Sequence, residues 1–295
     1  MNDFILCCGS TADLSAERLL ERNIQYIPFH YYMDGVQHVD DLGKSMPYSE
    51  FYAAMVRGVV TKTSQINADE YERFFEPFLK AGKDILYVSL SSGISGAYNS
   101  SLIAQSALKE KYPERKLFMI DSLGASSGYG LLMESLADLR DEGKSIEEVA
   151  AWAEAHKLNV HHWFFSTDLT YYVRGGRISK AAGWFGTIFN ICPLLNMDDK
   201  GRLIPRKKVR TKHKVIREIV NAMEATAENG IEYNGRCYIS QADCMEDALA
   251  VKNLVEERFP ALKGKVRIFD IGTTIGSHTG PGTVALFFYG KTRAE

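Results

Sequence analysis

The chain is poor in cysteine, in net charge and in long apolar runs. Its five cysteines, Cys7, Cys8, Cys192, Cys237 and Cys244, are odd in number and show neither metal-ligand nor paired spacing. That speaks against a zinc motif and a disulfide framework, and for reduced, mostly buried thiols in a cytoplasmic protein. The formal charge is −2, from 35 Lys and Arg against 37 Asp and Glu, which leaves no electrostatic footprint for nucleic acid. No apolar run approaches the ~20 residues of a spanning helix. The start, MNDFILCCGS, lacks a basic n-region and its apolar run is too short for a signal peptide. No Gly-x-x-x-x-Gly-Lys loop is present, which removes a P-loop nucleotide kinase. Gly93-Ile94-Ser95-Gly96 is not a Gly-x-Ser-x-Gly elbow, and no acid is evident to orient His278, so nucleophilic catalysis is not expected.

The composition that remains is globular, with 45% hydrophobic residues. Phe4–Cys8, Ile24–Tyr32, Ile85–Leu90 and Lys116–Asp121 read as strands. They alternate with helical segments at 16–22, 48–57, 71–81, 97–109 and 129–141. Asp34-Gly35 is a hairpin signal. Asn67…Glu70 and Ser145…Glu148 have capping-box form. This alternation predicts an α/β N-terminal domain, residues 1–157, with a Rossmann-like, largely parallel sheet and helices on both faces. Beyond Leu158 strand pairs and helices are mixed, with a hairpin at Asp198–Gly201 and a helix stop at Asn229-Gly230. Residues 158–295 are therefore read as an α+β domain.

The stretch Gly272-Thr-Thr-Ile-Gly-Ser-His-Thr-Gly-Pro-Gly-Thr283 lies between two strand-like runs and reads as a glycine-rich loop. Its glycines let backbone N–H groups approach a ligand, and its hydroxyls and His278 add donors, a composition suited to an anionic head group. A plain loop with one solvated His is the bland alternative. Thr63 and Ser64 form a hydroxyl pair in the polar stretch 61–65, which reads as a loop; Ser92 and Ser95 sit at a strand-to-helix turn that aims N–H groups at an anion. For all four, capping and turn formation are the ordinary uses. Residues 171–179 read as a loop, in which Arg174 and Arg177 bracket Gly175-Gly176, either as a solvated turn or as a docking point for an acidic or phosphorylated partner. Arg206, Lys207, Lys208, Arg210 and Lys212 cluster on a hairpin arm. A solvated face is the first reading; a transient contact with a partner or a membrane surface is the second. The apolar stretches 184–189 and 193–195 read as core, or as the lining of a slot for a hydrocarbon tail. His161, His162 and His213 lack ligand-like spacing and read as structural.

Six of these stretches, in order along the chain, resemble the DegV family of bacterial fatty-acid-binding proteins. They are Ser10-Thr-Ala-Asp13-Leu14, Thr63-Ser64-Gln65, Ser91-Ser-Gly-Ile-Ser95-Gly96, Asp121 with Ala125-Ser126, Tyr172-Val-Arg-Gly-Gly-Arg-Ile-Ser179 and Gly276-Ser-His278-Thr-Gly-Pro-Gly282. The chain departs from the family pattern at Gly9, Ile66 and Cys192. The resemblance implies one long-chain fatty acid between two domains and no other cofactor or metal. Thr63 and Ser95 would hold its carboxylate, with Ser64, Ser92 and His278 close by. Its tail would run into the C-terminal domain along Phe164, Ile188, Ile191, Leu194 and Leu195. It further implies a non-enzymatic carrier that presents the acid to the ATP-binding subunit of a fatty acid kinase, for phosphorylation to an acyl phosphate in phospholipid synthesis. The alternative is an enzyme or kinase subunit related to dihydroxyacetone kinase, holding a small carbonyl substrate on His278.

Overall fold

In the computed structural model, which describes residues 4–178 and 191–294, three sheets share the chain. The first is parallel and belongs to the N-terminal half. Strands β1 (Phe4–Gly9) and β2 (Ile24–Ile27) flank helix α1 (Ala16–Glu21) in sequence. The hairpin β3 (His30–Met33) and β4 (Val36–Val39) follows, turning at Asp34 and Gly35 with φ of 48° and 82°. Positive φ at both central residues is the geometry that matches strand twist in a tight hairpin. Next come α2 (Tyr48–Val56), β5 (Thr61–Ser64) and α3 (Ala68–Lys80). The last opens on the capping box of Asn67 and Glu70. The half closes with β6 (Asp84–Ser89), α4 (Ala97–Lys111), β7 (Leu117–Asp121), α5 (Ser126–Asp141) and α6 (Ile146–His156), whose capping box joins Ser145 and Glu148.

Strand order in the parallel sheet is β2-β1-β6-β7. Its strands are apolar on both faces, as a sheet covered on both sides requires. Helices α3 and α4 cover one face through Tyr71, Phe75, Leu79, Ala104 and Leu108. Helices α1, α5 and α6 cover the other.

The stretch Ile24–Tyr32 is not one strand. Pro28 interrupts it, since it has no N–H to give a ladder and fixes its own φ. The chain then leaves the parallel sheet, and β3 enters a separate antiparallel sheet of order β4-β3-β5. The polar stretch 61–65 is likewise not all loop. Residues Thr61–Ser64 form β5, with Thr63 opposite Tyr31 and Ser64 opposite His30.

The C-terminal half is built on a six-stranded sheet. Its elements are β8 (Val160–Phe165), α7 (Thr170–Arg174), β9 (Ile191–Met197), β10 (Leu203–Arg210), α8 (Lys212–Thr226), β11 (Cys237–Gln241), α9 (Met245–Arg258), β12 (Arg267–Asp270), α10 (Thr273–Thr279) and β13 (Val284–Tyr289). Strand order is β10-β9-β8-β13-β11-β12, antiparallel except for β11 against β12. Helices α8 and α9 close one face. The other face meets α5, which is buried along nearly its whole first three turns because it lies between two sheets. Two glycines make that close approach feasible: a Cβ at Gly128 would lie 2.5 Å from Phe287 Cδ1, and one at Gly130 would lie 2.5 Å from Ala12 O. No helix among the described residues is long and apolar enough to cross a membrane.

Two further expectations are corrected. The glycine-rich stretch is not an open loop: residues Thr273–Thr279 form α10, which leaves the six-stranded sheet and packs on α2, β3 and β5 of the other half. The segment Tyr171-Tyr172-Val173-Arg174 is helical, as α7.

Candidate functional site

A cavity of about 260 Å³ lies where α10 and α7 approach β5 and the turn ahead of α4. Thr63 and Ser64 reach it from β5, Ser95 from the turn, His278 from α10 and Arg177 from the residues after α7. Phe164, Met197, Leu203, Ala285 and Phe287 line it from the six-stranded sheet, with Tyr172, Leu90, Ile94 and Phe29 around them. A small group of hydroxyl and cationic side chains thus adjoins a broad apolar wall.

The polar end is organised around His278. Its Nε2 shares a hydrogen bond of 2.7 Å with Thr63 Oγ1. Its Nδ1 is buried, with no hydrogen-bond partner among the described residues. Gly175 lies directly behind the ring, where any Cβ would collide with Nδ1. Burial first, and then the Arg177 charge, lower the pKa of His278 to about 3. The imidazole is therefore neutral beside a guanidinium.

Arg177 turns inward. Its Nε donates to Ile94 O at 3.1 Å and its Nη1 to Gly175 O at 2.6 Å, and burial lowers its pKa. A hydroxyl, an imidazole and a guanidinium on one wall, with desolvation already imposed on two of them, form a site that an incoming carboxylate would satisfy.

The structure brings Thr63, Ser64, Ser95 and His278 to one cavity, and Phe164 to its apolar wall. Ser95 also serves the helix, its Oγ accepting from Ala97 N at 3.2 Å. Ser92 is not part of this site. It is exposed, outside the cavity lining, and its backbone N–H donates to Asp121 Oδ1 at 3.1 Å. Neighbouring Ser91 and Gly93 are structural too: Ser91 Oγ donates to Gly201 O at 2.8 Å, and a Cβ at Gly93 would strike the Lys200 and Gly201 carbonyls of the β9–β10 turn.

Three of the expected tail contacts do not line the cavity. Ile191 stands at the start of β9, Leu194 faces α8 and α9, and Leu195 joins the core around α5. Met197, two residues beyond Leu195 and hence on the same sheet face, lines it instead, with Leu203 opposite it on β10. Ile188 lies outside the described residues. The two arginines also part company: Arg174 is exposed, 5.6 Å over the Tyr171 ring, whereas Arg177 is half-buried and lines the cavity.

Sequence reasoning missed Gln65, Ser126 and His162, which also line the cavity. By spacing His162 reads as structural, and its bonds agree in part: Nδ1 donates to Val160 O at 3.0 Å and Nε2 accepts from Ala125 N at 3.2 Å. It sits in β8, which is buried on both faces, so the side that faces the cavity is not legible from spacing alone.

The family model described as "Uncharacterised protein, DegV family" matches residues 6–291. A DegV domain-containing protein of Clostridium perfringens is 34% identical over 293 residues, covering 99% of both chains. Among solved structures, a fatty-acid-binding DegV family protein from Thermus thermophilus is similar with a TM-score of 0.85 and 25% identity, over 98% of this chain and 100% of that one. The fatty acid kinase B3 protein of Streptococcus pneumoniae, loaded with linoleic acid, is similar with a TM-score of 0.83 and 22% identity, over 98% and 100%. By sequence over nearly its full length and by fold, the chain belongs to the DegV family.

Proposed function

We propose that this protein binds a long-chain fatty acid and carries it through the cytoplasm to a fatty acid kinase, performing no chemistry itself. The carboxylate lies at Thr63, Ser95, Arg177 and His278, with Ser64 beside them. The tail runs along Phe164, Met197, Leu203 and Phe287. In this reading residues 1–157 form one domain and 158–295 the other, and the acid lies between them. The observation that carries it is a cavity in which a Thr63–His278 pair adjoins an apolar wall.

The energetics agree with that division of labour. Hydrogen bonds to a charged acceptor contribute about 1.5–3 kcal/mol each, enough to orient one end. Each buried CH₂ contributes ~0.8 kcal/mol, so the chain supplies most of the affinity. An enzyme holding a small carbonyl on His278 would want a short polar pocket, and the apolar wall favours the carrier instead. The Thermus thermophilus relative supports the ligand class, and the Streptococcus pneumoniae relative supports the kinase as partner.

Native mass spectrometry of the purified protein tests the ligand. A bound fatty acid, or uptake of added oleate, is expected; absence of both would refute the reading. For presentation, acyl phosphate formation by a fatty acid kinase ATP-binding subunit is the assay. Arg174→Ala, at an exposed position, should lower turnover while oleate affinity holds. Equal loss of both would refute a docking role for Arg174.

A further inference from the structure

Helix α10 runs along the cavity, with Thr274 in its first turn and His278 in its last turn both in the lining. Its first turn is held by two buried carboxylates from the other half of the chain. Asp13, in the left-handed conformation after β1, accepts from Gly272 N at 3.0 Å through Oδ1 and from Ser126 Oγ at 2.5 Å through Oδ2. Asp40, just after β4, accepts at Oδ2 from Thr274 Oγ1 at 2.6 Å, Thr274 N at 3.3 Å and Ser10 Oγ at 3.0 Å. The two converge on Gly272, where a Cβ would lie 2.8 Å from Asp13 Oδ1 and 3.6 Å from Asp40 Oδ1.

This is a costly way to begin a helix. A Ser or Asn cap satisfies the same N–H groups without a charge, whereas two carboxylates out of water must be compensated in full. Burial accordingly holds both above the usual carboxylate range. Thr274 and His278 are four residues apart, on one helix face, and both line the cavity. The Asp40–Thr274 contact is thus one turn from the His278–Thr63 contact.

We propose that Asp13 and Asp40 are positioning residues of the head-group site, fixing the first turn of α10 so that His278 meets Thr63. The inference rests on the fatty-acid reading of the cavity. Released from that anchor, α10 would keep its apolar contacts through Ile271 and Ile275 but lose its rotational setting, and the imidazole with it. The anion site would suffer while the tail site stayed intact.

Equilibrium dialysis with two ligands of one chain length, oleate and oleyl alcohol, separates these parts. Wild type should bind both, oleate more tightly. Asp40→Ala should weaken oleate by about tenfold or more, the loss of one charge-assisted bond, and change oleyl alcohol by less than about twofold on the same affinity scale. Asp40→Asn, which keeps an acceptor for Thr274, should recover most of the oleate affinity. If Asp40→Ala does not fold, Thr274→Val supplies the same comparison from the other side of the contact. Equal losses for the two ligands would reduce Asp40 to a structural residue and overturn the proposal, as would wild-type oleate affinity in a folded Asp40→Ala or Thr274→Val. Failure of the wild type to bind either ligand would overturn the fatty-acid reading itself, and this inference with it.

Discussion

One added methyl group at Gly175 would probe the head-group site from behind. Gly175 has φ of −73°, a conformation alanine adopts freely, and it closes the last turn of α7. On backbone grounds alone Gly175→Ala should be neutral or mildly stabilising. Its Cβ, however, would overlap His278 Nδ1. The ring cannot retreat without giving up the 2.7 Å contact with Thr63. Losing one donor to a bound carboxylate corresponds to about 1.5–3 kcal/mol, or a rise in Kd of roughly tenfold to 150-fold. Gly176→Ala is the matched control, because Gly176 has φ of +72° and, among the described residues, nothing within 4 Å of its Cβ position. That change should cost about 1–2 kcal/mol of stability through the left-handed backbone and leave binding alone. Titration calorimetry with oleate and thermal melting of both variants give the comparison. Unchanged affinity in Gly175→Ala, or equal loss in Gly176→Ala, would refute the idea that the imidazole position sets head-group binding.

Thr63→Ala should weaken oleate by about tenfold with little effect on melting, and Ser95→Ala should weaken it similarly while costing about 1 kcal/mol of stability for its hydrogen bond with Ala97 N; calorimetry and melting curves read both. Arg293 is buried, donates to Asp198 O at 2.9 Å and Leu123 O at 2.8 Å, and so ties the β9–β10 turn to the N-terminal half. Arg293→Ala should destabilise by roughly 2–4 kcal/mol in urea unfolding, since both carbonyls lose the guanidinium, Asp198 O keeping Gly201 N, and a cavity opens. His278 has a folded pKa of about 3 against an ordinary 6.5, so the unfolded chain holds a proton there that the folded chain lacks. Its contribution to stability is therefore present above 6.5 and is lost as pH falls towards 3. Asp13 and Asp40, raised by burial, act in the opposite sense above 3.8 and do so equally in a His278→Asn variant. Urea midpoints of His278→Asn should thus fall less steeply with acid than those of wild type; parallel curves would show that His278 is not held neutral by the fold.

Local signals with a local cause were legible in the sequence. The capping boxes at Asn67 and Ser145, the turn at Asp34-Gly35 and the apolar runs of β1, β6 and β7 depend on neighbours within a few residues, and each stands where its pattern places it. The same holds for the alternation that predicts a parallel sheet with helices on both faces. Thr63, Ser95 and His278 could be named as polar groups suited to an anion, because hydroxyl, glycine and imidazole chemistry does not depend on context.

Which of those groups would meet depended on contacts between residues hundreds of positions apart. Thr61–Ser64 is a strand only because β3 offers it an edge, and its polar side chains hid that from any hydrophobic pattern. Gly272–Thr283 looks like a loop by composition, yet Asp13 and Asp40 supply its N–H groups with partners and a helix forms. Ser92 and Ser95 are indistinguishable as residues; the turn exposes one and aims the other inward. Met197 lines the cavity where Leu194 does not, a matter of strand parity. By itself the sequence determined the capped helices, the tight turn and the apolar strands of the parallel sheet, and the residue types on offer for an anion, since these follow from short-range backbone and side-chain properties. Only tertiary structure decided which side chains converge, because convergence is set by packing between α5, α10 and three sheets that no single stretch encodes.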